Sequence, residues 1–388
     1  MHLKEKEFLE FMRKFDDDPF TICIHGKDYP IGVGKPIFRV QIHKIPSISE
    51  LMTSTSIALG EAYMRGEIEI EGDLYHALNH FMGQLGKFQT DKKRLKKLMF
   101  SSNSKKNQKK EVSSHYDIGN SFYKLWLDDT MSYSCGYFEK ESDTLGQAQH
   151  QKADRILQKL ALEPDMTICD IGCGWGFLLL EAAKKYHIHG LGITLSSEQK
   201  MEFERQIVAY HLEDYLEVEL LDYRDLPKLN RTFDRVVSVG MIEHVGRENY
   251  ALFMNTVKEI LNPGGLFLLH FISGLQEYPG DAWMKKYIFP GGMVPSLREM
   301  IQIAGNLKFY TLDVESLRRH YNHTLLCWNQ NFQAHRSEIV QMFDEEFAKM
   351  WELYLCSCAA SFENGVIDLH QILISNGVNN QLPMTRWY

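Results

Sequence analysis

From residue 112 onward the apolar positions follow two alternating rhythms. Short apolar runs at Thr167–Ile171, 190–194, 215–221, 235–239 and 265–271 predict strands. Between them, at 148–160, Phe177–Tyr186, 197–210 and 250–261, apolar residues recur at three-and-four spacing, which predicts helices. Strand and helix in turn predict an α/β fold, a parallel sheet with helices on both faces. Asn262-Pro263-Gly264-Gly265 reads as a helix stop and a turn into the last of those strands. From 325 to 374 the spacing is helical again, rich in Phe, Met and Trp, and predicts core or lid helices.

Before residue 95 the pattern is different. Ile22 and Ile24, then Val40 and Ile42, alternate with polar neighbours in half-buried strands at 20–24 and 38–42, and helical spacing covers 50–64 and 74–82. This predicts a small α+β or mainly helical accessory domain over 1–95. Lys92, Lys93, Arg94, Lys96, Lys97, Lys105, Lys106, Lys109 and Lys110 follow with no acid among them, around Ser101-Ser102-Asn103-Ser104. Residues 96–111 therefore read as a basic linker, solvated or touching anionic lipid, and 112–388 as a second, larger domain.

Composition narrows the class. A hydrophobic content of 44% fits an ordinary globular core, and the formal charge of -8 argues against a general nucleic-acid binder. The seven cysteines, an odd number without paired metal-type spacing, read as reduced thiols and call for no metal. The mixed-charge start lacks the apolar stretch of a secretory signal, and no apolar run reaches the roughly 18 residues that span a bilayer.

The chemistry begins at Asp170-Ile171-Gly172-Cys173-Gly174-Trp175-Gly176, where a strand ends in an acid and a glycine-rich turn opens a helix. Gly172 and Gly174 permit a sharp turn and close approach of a ligand to the main chain. A dinucleotide fingerprint would place its third glycine one residue later. Asp-x-Gly-x-Gly-x-Gly instead resembles the first motif of class I S-adenosylmethionine-dependent methyltransferases, which implies their Rossmann-like sheet and a cofactor seated on Asp170, Gly172, Gly174 and Gly176. The ribose-binding acid that many of those enzymes carry after the second strand is absent here. Thr194 and Gln199 are the hydrogen-bonding substitutes, and Asp222, Tyr223 and Arg224 stand where adenine would lie.

Five further motifs share one resemblance: His115-Tyr116-Asp117-Ile118-Gly119-Asn120, Met131-Ser132-Tyr133-Ser134-Cys135-Gly136-Tyr137-Phe138, Ser238 to Gly246 with Glu243-His244-Val245-Gly246 at its end, Leu268-Leu269-His270-Phe271-Ile272, and Lys286 to Gly292. Together they resemble cyclopropane-fatty-acyl-phospholipid synthases, most strongly from His115 to Tyr321. The resemblance implies methylene transfer from S-adenosylmethionine to the cis double bond of an unsaturated acyl chain in a membrane phospholipid. It implies a carbocation that is deprotonated by a bound bicarbonate, held by Cys135, Glu243, His270, the Ile272 backbone and Tyr321. It places Tyr133 and Ser134 at the donor's methionine end and matches Cys358, in a pattern that reads as a buried helix, to a further family cysteine with a catalytic candidacy. Residues 278–295, with Trp283, Tyr287, Phe289 and paired glycines, read as an acyl-channel wall or a packed loop. The resemblance further implies a cytoplasmic homodimer in peripheral contact with the inner face of the membrane. Two rivals stand beside this reading: an amine N-methyltransferase, which shares the Tyr-Ser-Cys and Glu-His-Val patterns, and a non-catalytic lipid-binding protein on the same scaffold.

Overall fold

The computed structural model describes residues 3–87 and 118–388, and the chain divides into two units, each discontinuous in sequence. The basic stretch 92–110, the 96–111 linker and His115 to Asp117 lie outside the described residues. One unit joins the described residues before 88 to Pro279–Pro290 and Leu325–Val366; the other holds residues from 118 to Tyr278, Gly291–Thr324 and Ile367–Tyr388. The contiguous 112–388 domain expected from composition is therefore not the one that packing draws. Apolar helix faces between 325 and 363 are buried with the N-terminal residues.

In that first unit the strands β1 (Phe20–Ile24), β2 (Lys27–Ile31), β3 (Arg39–Ile42) and β4 (Ile68–Glu71) form a sheet in the order β2-β1-β3-β4. Val40 and Ile42 are buried while Arg39 and Gln41 are half-buried, as the alternation predicts, but β1 is buried along its whole length. The helical stretch predicted over 50–64 is broken at Ser54, which closes helix Ile48–Thr53 and caps helix Thr55–Met64 through its side chain. Helices Thr55–Met64 and Leu74–Met82 both pack on helix Glu345–Glu363. There Tyr63 donates to Glu352 and Asn364 donates to Asn79. Trp283 packs so closely on Gly60 that a Cβ there would lie 2.5 Å from the indole. Among the described residues no helix is long and apolar enough to cross a membrane.

The second unit carries β5 (Thr167–Ile171), β6 (His189–Thr194), β7 (Leu216–Leu220), β8 (Phe233–Val239), β9 (Leu261–Ser273), β10 (Phe309–Ser316) and β11 (Asp368–Asn376). Their order is β10-β11-β9-β8-β5-β6-β7. The five predicted strands are present and parallel, but β11 runs antiparallel to β9, and β10 antiparallel to β11, so the sheet is mixed. β11 occupies the tail of the segment predicted as helix. Its run Ile372-Leu373-Ile374 is short, holds two β-branched isoleucines and is preceded by Gly365 at φ +65°, features that favour a buried strand.

Burial on both sides explains the continuous apolar runs of the central strands. Val236, Phe267 and Leu269 pack on one face of the sheet, Val237, Leu266 and Leu268 on the other. Asn262 to Gly265 bulge out of the β8–β9 register, which resumes at Arg235 opposite Leu266. The chain leaves β5 toward β6 on one side and returns to β8 on the other. That reversal opens a crevice at the carboxyl ends of β5, β6 and β8.

Candidate active site

A cavity fills that crevice. Asp170 and Gly172 to Trp175 line it from β5 and the turn after it, Thr194 from the end of β6, Gln199 from the first turn of helix Ser197–Ala209, Asp222 and Tyr223 after β7, and Gly240 and Met241 after β8. Thr130 to Ser134 and Lys152 close its other side. The Gly172 and Cys173 amides both donate to the Ile193 carbonyl, which pins the turn against β6. Gly174, at φ +56°, has nothing within 4 Å of where a Cβ would stand. Gly176 differs: at φ +88° its Cβ would strike the Phe203 ring at 2.1 Å, so this glycine serves helix packing and does not line the cavity.

Polar side chains along the cavity are mostly tied to one another. Thr194 Oγ1 lies 2.6 Å from Gln199 Oε1. Arg224 clamps Asp222 through Nε at 2.7 Å and Nη2 at 2.6 Å. Arg224 itself does not line the cavity, so its part is to hold Asp222. Two groups are not satisfied in this way. Asp170 Oδ1 and the Tyr223 hydroxyl are buried without a protein partner. Burial pushes the Asp170 carboxyl up to about 7 against the pull of Lys152. Lys152 is 6% exposed, donates to Ser134 Oγ at 2.9 Å, and is pushed down to about 8 by the same desolvation.

The residues expected to hold a base lie just behind the cavity wall. Gly240, which lines the cavity, donates its amide to the His270 carbonyl at 2.9 Å. Two residues on, the Ile272 amide donates to Glu243 Oε1 at 2.7 Å. Ile272 was expected to offer that amide to an ion, and in this structure Glu243 takes it. Glu243 Oε2 and His270 Nε2 are buried with no protein partner. Desolvation pushes Glu243 up to about 7 and His270 down to about 3.

Cys135 and Tyr321 gather around helix Arg318–Ala334. The fully buried Cys135 thiol lies 3.9 Å from Thr324 Oγ1, and burial raises its pKa well above the usual thiol range. Tyr321 is one turn before Thr324 on the same helix and 9% exposed. The positive charge of Lys152 acts on both Cys135 and His270. Cys358 belongs to the other unit, on helix Glu345–Glu363, where burial pushes its thiol up to about 12.

Several residues of this region were not singled out from the sequence. Gln149, Lys152 and Lys159 project from the buried face of helix Leu145–Lys159. Gln149 donates to the Ser134 carbonyl at 2.9 Å and so fixes the segment that carries Tyr133 and Ser134. Polar residues at i, i+3 and i+10 within an otherwise apolar stripe are a signal that the sequence does carry. Gln371 carried no such signal, because its segment was read with the wrong period.

A glycine-rich turn at the reversal point of this sheet, with an acid before it and a cavity above it, defines a class I S-adenosylmethionine-dependent methyltransferase fold. The comparisons agree. Residues 103–372 match the family described as Mycolic acid cyclopropane synthetase, and residues 8–93 match a domain family of unknown function. The cyclopropane-fatty-acyl-phospholipid synthase of Escherichia coli (strain K12) is 39% identical over 340 residues, 85% of this chain and 86% of its own. A probable fatty acid methyltransferase of Pseudomonas putida is 36% identical over 371 residues, 93% of each chain. The crystal structure of mycolic acid cyclopropane synthase CmaA1 complexed with SAH and CTAB superposes with a TM-score of 0.65 at 33% identity, covering 69% of this chain and 98% of that one. The chain belongs to the cyclopropane synthase family. It is an enzyme homologous to cyclopropane-fatty-acyl-phospholipid synthases.

Proposed function

We propose that this enzyme transfers a methylene group from S-adenosylmethionine to the cis double bond of unsaturated acyl chains in membrane phospholipids. S-adenosylmethionine supplies a methyl group on a sulfonium, an electrophile strong enough for an alkene. Attack by the alkene breaks the S–CH3 bond and leaves a cation on the lipid; loss of one proton from the transferred carbon then closes the ring. The chain's own task is to position the two partners, exclude water that would trap the cation, and hold a base. Asp170, Gly172, Gly174 and Ser134 would seat the methionine end of the donor; Thr194, Gln199, Asp222 and Tyr223 would seat its ribose and adenine.

The observation that carries the reading is that Glu243 Oε2 and His270 Nε2 are both buried without a protein partner, while Glu243 is tied to the Ile272 amide two residues after His270 on β9. An ordinary core leaves few such atoms unpaired. One accepts and the other donates, which suits a small anion that carries a single proton. Glu243 and His270, with Cys135 and Tyr321 nearby, would hold a bicarbonate, which would supply the base. A carboxyl poised near pH 7 and a neutral imidazole impose little net charge on that guest. We extend the same reading to a homodimer working in peripheral contact with the cytoplasmic face of the membrane.

The test is incubation with vesicles of unsaturated phospholipid and S-adenosylmethionine, followed by acyl-chain mass analysis, with and without added carbonate. A gain of one CH2 that slows in carbonate-free buffer is expected. No gain on any lipid, with methyl transfer to an amine instead, would replace this reading by the N-methyltransferase one. A gain indifferent to carbonate would move the base onto a protein side chain.

A further inference from the structure

Behind His270 lies a row of polar side chains that crosses three strands. Register sets His270 of β9 opposite Gln371 of β11, and Gln371 opposite Glu315 of β10. Arg155 Nη2 and Lys159 Nζ each reach Glu315 at 2.5 Å. Lys159 Nζ also lies 2.8 Å from Gln371 Oε1, and Gln371 Nε2 lies 3.1 Å from His270 Nδ1. His270, Lys159 and Gln371 are at most 2% exposed, so water does not compete for these bonds.

The direction of each bond follows from what each group is able to do. An ammonium only donates, so the Gln371 oxygen must face Lys159. That turns the Gln371 NH2, which also only donates, toward the imidazole. Nδ1 of His270 must then accept and carry no proton. Glu315 anchors Lys159 and Arg155, so the amide has no cheap way to flip. Burial keeps the ring neutral, with its pKa held down to about 3. A neutral ring with a bare Nδ1 carries its proton on Nε2, the atom that is buried without a protein partner.

We propose that the Glu315–Lys159–Gln371 row locks the tautomer of His270, so that Nε2–H is a permanent donor at the buried ring atom that no protein group accepts from. This rests on the reading of His270 as a site residue and deepens it. His270 would bind and orient an anion and would be unable to take the proton itself. Lys159 and Gln371 are positioning residues, acting through His270.

The test is proton–nitrogen correlation of the imidazole nitrogens in the full-length enzyme with 15N-labelled histidine, His270 being assigned by its loss in His270→Gln. Wild type is expected to show the Nε2–H tautomer. In Gln371→Glu the donor to Nδ1 becomes an acceptor, so the proton is expected to move to Nδ1. Cyclopropanation should then fall roughly 100-fold while affinity for S-adenosylhomocysteine stays within about twofold. In Lys159→Met the amide is free to turn, and a mixture of tautomers is expected. A wild-type ring protonated on Nδ1 or on both nitrogens overturns the proposal, as does an unchanged tautomer in Gln371→Glu. Should that variant fail to fold, the wild-type spectrum and Lys159→Met decide. A locked Nε2–H in a protein that modifies no lipid would leave the lock standing and remove the function proposed above.

Discussion

Glu243→Gln should separate stability from activity, and it should do so through pH. The carboxyl is held near 7 in place of its ordinary 4.5, chiefly by desolvation and against the favourable Ile272 amide bond. At about 1.4 kcal/mol per pH unit, the native state disfavours the ionised form by roughly 3 kcal/mol. The sign follows from proton counting. Between pH 4.5 and 7 the native protein binds more protons at this site than the unfolded chain, so wild-type stability is lost as pH rises through that window and is level above it. Glutamine keeps an oxygen for the Ile272 N–H but leaves a buried NH2 without an acceptor, at a pH-independent cost of about 1–3 kcal/mol. The absolute change at one pH is therefore a poor readout, whereas the difference between two is not. Relative to wild type, the variant should gain about 2.5 kcal/mol between pH 5 and pH 8, and it should lose most cyclopropanation at both. Urea unfolding midpoints in carbonate-free buffer measure the first quantity, since a bound anion would add its own linkage. Stability curves of wild type and variant that run parallel from pH 5 to 8 would show that Glu243 is not the perturbed carboxyl described here.

Cys135 should resist iodoacetamide at neutral pH in the native enzyme, because it is fully buried and its thiol is raised well above the usual range; peptide mass mapping that finds it among the first cysteines alkylated would contradict this. The half-buried Cys327 should react sooner. Two of the three glycines after Asp170 should also respond differently to alanine. Gly176→Ala drives a methyl into Phe203 and should cost about 3 kcal/mol or more, read as lost soluble yield and melting temperature. Gly174→Ala meets only the strain of its positive φ, about 1–2 kcal/mol, and should mainly weaken S-adenosylhomocysteine binding in calorimetry. Equal melting losses in the two variants would undo that division.

Much of the second unit was legible because its signals are local. The run ending at Asp170, the glycine turn and the apolar helix behind it are fixed by neighbours a few residues away, and β5 and helix Phe177–Tyr186 stand where the spacing put them. Glu243, His270 and Ile272 are legible as motif members; the Ile272 amide donates to Glu243, and His270 stands two residues earlier on β9. What failed depends on distant partners. The charged strand β4, Ile-Glu-Ile-Glu, gains its place only by pairing with β3. β11 is apolar on both faces because it slots between β9 and β10, and a buried run of that length looks alike as helix or strand until its neighbours are known. The role of Gln371 went unseen with it. Arg224 and Gly176 adjoin ligand-like residues in sequence but do not line the cavity: Arg224 holds Asp222, and Gly176 packs against Phe203.

The discontinuity of the first unit carries a consequence for biogenesis. Helix Glu345–Glu363 supplies the surface on which helices Thr55–Met64 and Leu74–Met82 rest, so those early segments leave the ribosome some 270 residues before their support is made. Contacts this remote close slowly and keep nascent apolar surface exposed meanwhile. Until that helix is made, the faces it covers stay exposed, so a stall between residues 100 and 340 is expected to leave a sticky, half-built product.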